Sequence, residues 1–163
     1  MKKRLVYIAP HLSTGGMPQY LCKQIELLKE EFDVYCIEWA DVTGGVLVVQ
    51  RNKIKSLLGK NLITLGENKG DLIKKIKEIK PDVVHLQEIP DIFTIPYEIA
   101  FELYKEDRGY VIIETSHDSS FNVNNKVFFP DRFLMVSQYQ VNDYKKLGIP
   151  CDLVEYPIEF FKR

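Results

Sequence analysis

The chain contains three histidines, the side chain whose ordinary pKa puts its charge change nearest neutrality, and each has a different setting. His117 lies in ETSHDSS, residues 114–120, with Ser116, Asp118, Ser119 and Ser120 around it. Such a cluster can donate, accept or carry a proton for a bound substrate. The competing reading is a loop whose Ser and Asp side chains only satisfy the turn's own backbone. His85 sits inside the apolar run DVVHLQ, where a core histidine bonded to a neighbour is expected. Glu88 follows that run and is read either as a contact for a substrate hydroxyl or as a solvated carboxylate. His11, after Pro10, either lines a cleft or begins a loop.

The second chemical feature is the corner APHLSTGGMPQY, residues 9–20, where Ser13, Thr14, Gly15 and Gly16 precede a helical pattern. A glycine pair costs backbone entropy and belongs where positive φ or the close approach of another group demands it. Unpaired backbone N–H groups at a helix start suit an anionic or hydroxyl-rich ligand; a plain strand-to-helix turn is the alternative. The corner is neither GxGxxG nor a P-loop, having no lysine after its glycines. A Ser-His-Asp hydrolase is excluded, because His117 and Asp118 are neighbours and no G-x-S-x-G elbow exists. A receiver-type phosphorylation domain needs acids where this chain has PHLSTGG and QEIPD.

Alternating elements must position these residues. LVYIA (5–9), DVYCIEW (33–39), VLVVQ (46–50, after Gly44-Gly45), LITL (62–65), DVVHLQ (82–87), YVIIE (110–114), RFLMVS (132–137) and DLVEY (152–156) read as strands. Between them lie amphipathic stretches. Tyr20, Leu21, Ile25 and Leu28 mark the first helix, and Ile54, Leu57 and Leu58 suggest one or two turns. Leu72, Ile73, Ile76 and Ile79 form the stripe of a helix capped by Asp71 and stopped by Pro81. A further helix begins after Pro90, with its main run from Pro96 to Tyr104. Ser137 with Gln140 has the form of a capping box on the last helix, which ends at Gly148 and Pro150. Strands apolar on both faces, each followed by an amphipathic helix, predict an α/β, doubly wound, mostly parallel sheet with helices on both faces. In such sheets ligands bind beyond the carboxyl ends of the strands, which is where both polar features fall.

At 163 residues, 45% hydrophobic and 28% charged, residues 1–163 fit one domain with a substantial core. A net charge of −1 gives no overall field that would draw nucleic acid, and none is expected as a partner. Cys22, Cys36 and Cys151 are odd in number and set in apolar sequence, which reads as reduced thiols in a cytoplasmic protein. No metal-ligand spacing occurs. Met1-Lys2-Lys3-Arg4 is followed by too short an apolar run for a secretion signal, and no stretch reaches the roughly 20 apolar residues of a membrane span. RNKIKSLLGK and KKIKEIK are either solvated basic faces or peripheral contacts with an inner membrane face.

The first-strand corner, KPDVVHLQ, VIIETSHDSS and DRFLMVSQYQVNDYKKLGIPCDLVEYPIE, in that order across almost the whole chain, resemble the N-terminal half of a two-domain GT-B glycosyltransferase, nearest to glycosyltransferase family 4. The resemblance implies a Rossmann-like domain on the acceptor side of a retaining, metal-independent transfer from a nucleotide-sugar donor to a sugar or lipid-linked sugar acceptor. It implies no cofactor, His117 against the transferred sugar as the catalytic residue, and the Gly15–Gly16 corner near the donor's phosphates. Ser13, Thr14, Glu88, Ser116, Asp118 and Ser137 complete the substrate-binding set. The nucleotide-binding C-terminal domain is absent from this sequence, so the isolated chain is expected to be inactive. Three departures stand out: Gln19 and Tyr20 replace a basic residue after the glycines, EYPIE replaces an Asn-Gly turn, and FNVNNKVFFPD has no counterpart. Phe121, Phe128 and Phe129 in that stretch are read as an acceptor lid or as packing beneath a loop. The alternative to an enzyme is an inert Rossmann-like binding module, or one subunit of a split transferase.

Overall fold

A computed structural model describes residues 1–40, 48–88, 95–118 and 123–155. Gly44, Gly45, Pro90, Ser119, Ser120, Phe121 and the closing YPIE lie outside the described residues. The strands are β1 (Arg4–Ala9), β2 (Asp33–Glu38), β3 (Leu62–Thr64), β4 (Val83–Leu86), β5 (Val111–Ser116), β6 (Arg132–Met135) and β7 (Cys151–Leu153). The helices are α1 (Gly16–Leu28), α2 (Val49–Leu58), α3 (Asp71–Ile79), α4 (Tyr97–Tyr104) and α5 (Gln138–Lys146). The strands form one sheet in the order β3-β2-β1-β4-β5-β6-β7, and every pairing is parallel. This is a Rossmann-like, doubly wound α/β fold.

Side-chain alternation explains the layering. Leu5, Tyr7, Ala9, Val34 and Cys36 point to one face, where Leu21, Cys22 and Ile25 of α1 and Ile54 of α2 bury them. Val6, Ile8, Ile37, Val84, Leu86 and Ile112 point to the other, against Leu72, Ile76 and Ile79 of α3 and Ala100, Leu103 and Tyr104 of α4. Because both faces are covered, the strands need no polar alternation. At the far edge Val141 and Tyr144 of α5 pack on Phe133, Met135 and Cys151. The connections on the two sides of β1 lie on opposite faces, α1 and α2 on one and α3, which leads from β3 into β4, on the other, so the crevice between the carboxyl ends of β1 and β4 is the switch point of the sheet.

Three local expectations are corrected. Of VLVVQ, a β-branched run read as a strand, Val46 and Leu47 lie outside the described residues, and the remainder enters a helix instead: Val49 and Gln50 open α2, with Val49 exposed and Gln50 buried. Three-residue β3, already paired with β2, fills the edge position that a strand at 46–50 would need. Asp71 is the first residue of α3 and not its cap, since Gly70 holds that position and no side chain caps the turn. The Ser137–Gln140 capping box does not form, because Ser137 makes no side-chain cap bond. Gln140 is engaged elsewhere. The fifth strand also runs two residues further than its apolar pattern, so that Thr115 and Ser116 are strand residues and fully buried.

Candidate functional site

The loop after β1 is held from behind. Glu38, at the carboxyl end of β2 and fully buried, accepts from Leu12 N–H at 2.8 Å and from Arg51 Nη2 at 2.7 Å on Oε1, and from Thr64 Oγ1 at 2.9 Å on Oε2. Arg51 N–H donates in turn to Leu12 C=O at 2.9 Å. Both backbone groups of Leu12 are therefore fixed by β2 and α2. In dinucleotide-binding sheets an acid at this strand end takes ribose hydroxyls; here the carboxylate is spent on the protein's own loop. Ser13 is buried and its hydroxyl lies 2.7 Å from His11 Nδ1, a local pair at the foot of the corner. Burial holds the His11 pKa below its ordinary value against the opposing pull of Glu38.

Thr14, Gly15 and Gly16 are exposed on the rim. The two glycines differ in kind. Gly15 has φ 142° and ψ 174°, a conformation essentially restricted to glycine, and its C=O accepts the Gln19 N–H at 3.2 Å. Gly16 opens α1 without positive φ, and a Cβ there would meet nothing within 4 Å. Fold geometry requires the first glycine alone. Gly15→Ala should therefore lose about 1–3 kcal/mol in chemical denaturation, whereas Gly16→Ala should stay within about 0.5 kcal/mol of the parent.

One helical turn beyond Gly16, Tyr20 connects the corner to the second feature. Its buried ring meets the His117 imidazole edge-on, with centroids 5.3 Å apart, and its hydroxyl accepts from Gln24 Nε2 at 2.7 Å. His117 follows β5 directly and is half-buried, with its N–H directed at the Glu88 carboxylate at 3.2 and 3.4 Å. Desolvation lowers the His117 pKa to about 4, so the imidazole is neutral at physiological pH. A neutral ring of this kind serves as a hydrogen-bond partner for hydroxyl groups and is poorly matched to general-acid work near pH 7.

Around His117, Ser116 Oγ donates to Asp118 C=O at 3.1 Å, and Gln140 Nε2 donates to Ser116 Oγ at 3.2 Å and to Asp118 C=O at 2.9 Å. Behind it the wall under α1 is polar. His85 Nε2 lies 2.7 Å from Thr115 Oγ1, with its ring 5.1 Å from that of Tyr7, and Gln87 Nε2 donates to Gln24 Oε1 at 3.3 Å. His85 is the neighbour-satisfied core histidine that DVVHLQ predicts, and burial, aided by nearby His117, lowers its pKa to about 3.

The structure thus gathers Thr14, Gly15, Gly16, Glu88, Ser116, His117 and Asp118 at the carboxyl ends of β1, β4 and β5. Ser137, half-buried after β6, belongs to the same edge of the sheet. Ser13 turns inward to His11, Glu88 accepts from the His117 backbone N–H, and Ser116 is tied to the Asp118 carbonyl. Sequence reasoning missed Tyr20, Gln140 and the Glu38–Arg51–Thr64 clamp. The spacing of Tyr20 from the glycines was the only available signal for the first; nothing local marks the others. Phe128 packs between Tyr97 and Tyr104, at 5.3 and 5.4 Å, as the loop-packing reading expects, while Phe129 is exposed. Among the described residues no cluster of His, Cys, Asp or Glu could hold a metal ion, and no helix is long and apolar enough to cross a membrane.

No family model and no curated protein matches the chain. Among solved structures, malate dehydrogenase from Plasmodium falciparum is similar at 15% identity with a TM-score of 0.37, over 71% of this chain and 37% of that one. The chain therefore spans well under half the length of that dehydrogenase, and a likeness at this level says nothing about activity.

Proposed function

We propose that this chain is the acceptor-binding N-terminal half of a retaining glycosyltransferase that moves a sugar from a nucleotide-sugar to an acceptor hydroxyl. The observation that supports the reading is the convergence of an open glycine corner and a neutral, backbone-anchored imidazole on one rim, joined through the Tyr20 ring. The α1 N-terminus would stabilise charge developing on a departing nucleoside diphosphate, and His117 would bond a hydroxyl of the transferred sugar. The glycine corner supplies oriented N–H groups without a cation, so leaving-group charge would be shared with a second domain. Closure of that domain would also exclude water from the donor. Half a cleft cannot do this, and the isolated chain should show no measurable transfer. Measurable turnover by the 163 residues alone would contradict the half-cleft reading.

Binding is tested by following the His117 imidazole by NMR while titrating UDP-glucose, GDP-mannose and a panel of oligosaccharides. Saturable shifts at His117 with one of these sugars are expected. Gly16→Ala, which leaves the fold intact, should weaken the nucleotide-sugar response by about tenfold, since its Cβ would occupy the space a phosphate needs against the backbone. Wild-type His117 signals that stay fixed through every titration would overturn the reading. Sugar binding without any turnover, after the complementary half is supplied, would instead support the inert module.

A further inference from the structure

We propose that Gln140, in the first turn of α5, is a positioning residue that fixes the His117 imidazole, acting with Glu88 at the end of β4; its purpose rests on the glycosyl-transfer reading, its substance on hydrogen-bond geometry. The three residues 116–118 are held at three points. Gln140 Nε2 takes Ser116 Oγ and Asp118 C=O, and the Glu88 carboxylate takes the N–H of His117 between them. Ser116 Oγ closes the base of the loop by donating to the same Asp118 carbonyl. These ties reach across 22 to 29 residues of sequence. They bind the exit of β5 to two elements already fixed by the sheet and its helices. A side chain carried on a loop gains the precision of the scaffold only through bonds of this kind.

The orientation of Gln140 shows what it is for. Its amide is buried, and its Nε2 uses both donors on the loop, while its Oε1 is buried with no hydrogen-bond partner among the described residues. An unmatched buried acceptor carries a cost. The opposite orientation would set Oε1 against the Asp118 carbonyl, acceptor facing acceptor, which fixes the amide as found. Nor is the residue occupied with its own helix, since Ser137 makes no side-chain cap bond and the box that S-x-x-Q suggests is not built. Gln140 donates to the loop at the expense of both. Ser116 in turn acts through His117, its hydroxyl being used up in the tie.

Without these donors the loop is free to open, the imidazole leaves the Tyr20 ring and gains water, and its titration returns toward the ordinary histidine range. The experiment compares the wild-type chain with Gln140→Leu and with Gln140→Glu, which keeps size and shape but cannot donate when ionised. Histidine ring signals are followed against pH by nitrogen–proton correlation NMR. In both variants the His117 titration should rise by about one pH unit or more, while that of His85, held by Thr115 and touched by His117 only through charge, moves by less. A folded Gln140→Glu chain with an unmoved His117, or a His85 titration that moves as far as that of His117, would overturn the proposal. If neither variant folds, the wild-type Gln140 side-chain amide protons decide: slow exchange with cross-peaks to Ser116 and Asp118 supports the tie, and exchange at the rate of a free glutamine removes it. None of these readouts needs a sugar. Failure of the transferase reading appears as a wild-type His117 blind to every titrated ligand; failure of this proposal appears as an unchanged His117 in the variants.

Discussion

Replacing Lys126 by methionine should lower the folding free energy by about 3–5 kcal/mol, seen as a shifted midpoint in chemical denaturation and a melting temperature lower by roughly 10 °C. Lys126 follows the single 3-10 turn Val123–Asn125, and its side chain is fully buried, as is that of Glu114 on β5. The ammonium lies 2.9 Å from Glu114 Oε2 and 3.2 Å from Oε1, and sits 5.5 Å from the centre of the Phe133 ring. The Tyr104 hydroxyl donates to the same carboxylate from α4. Two buried charges that satisfy one another add little net stability, but removing one strands the other in a medium that cannot solvate it. The signature of this mechanism lies in the double variant: Lys126→Met with Glu114→Gln removes both charges and should recover most of the loss. If the single variant costs less than about 1 kcal/mol, the carboxyl group takes up a proton at little expense and the pair is not the anchor described. The anchor matters for the rim as well, since Glu114 lies two residues before Ser116 on the strand that delivers His117.

The layers of the fold were legible because period and breaker signals agree in most of the chain. The stripe of α3 between Asp71 and Pro81 and the unbroken apolar β1 and β4 leave few alternatives. VLVVQ failed because a β-branched run states only that the segment is apolar; whether it pairs or coils depends on a free sheet edge, and β3 occupies that edge. The position of His117 was legible for a similar reason, since the polar cluster ends an apolar strand and the topology puts strand ends on one rim. The residues that hold His117 were not. Glu88 and Gln140 reach it across the sequence through side-chain bonds to main chain, and such bonds leave no periodic trace. The S-x-x-Q spacing at Ser137 was misleading: the local pattern is present, but the side chain of Gln140 turns its amide donors to the acceptors at the buried exit of β5 instead of turning its oxygen back to the helix start.

The same burial that keeps His117 neutral makes the domain acid-sensitive, and stability should fall steeply below pH 6.5. His85 and His117 have folded pKa values lowered to about 3 and about 4 by desolvation, with His117 itself adding to the depression at His85. In the unfolded chain both return to about 6.5. Above that pH both states hold the rings neutral and the full stability is present. As pH drops, the unfolded state binds protons that the folded state refuses, so each histidine removes about 1.4 kcal/mol per pH unit. Both contribute down to pH 4, and His85 alone continues to pH 3. At pH 4.5 the combined loss is about 5 kcal/mol, comparable with the whole stability of many domains. Urea unfolding at a series of pH values measures this directly. His85→Gln, which can keep a bond to Thr115 but does not titrate, should take about 1.4 kcal/mol per pH unit out of the slope between pH 6.5 and 4. A wild-type free energy flat from pH 7 to pH 5 would mean that the two rings are already protonated or solvated in the folded protein. The neutral imidazole on which the sugar-binding reading depends would then be lost with it.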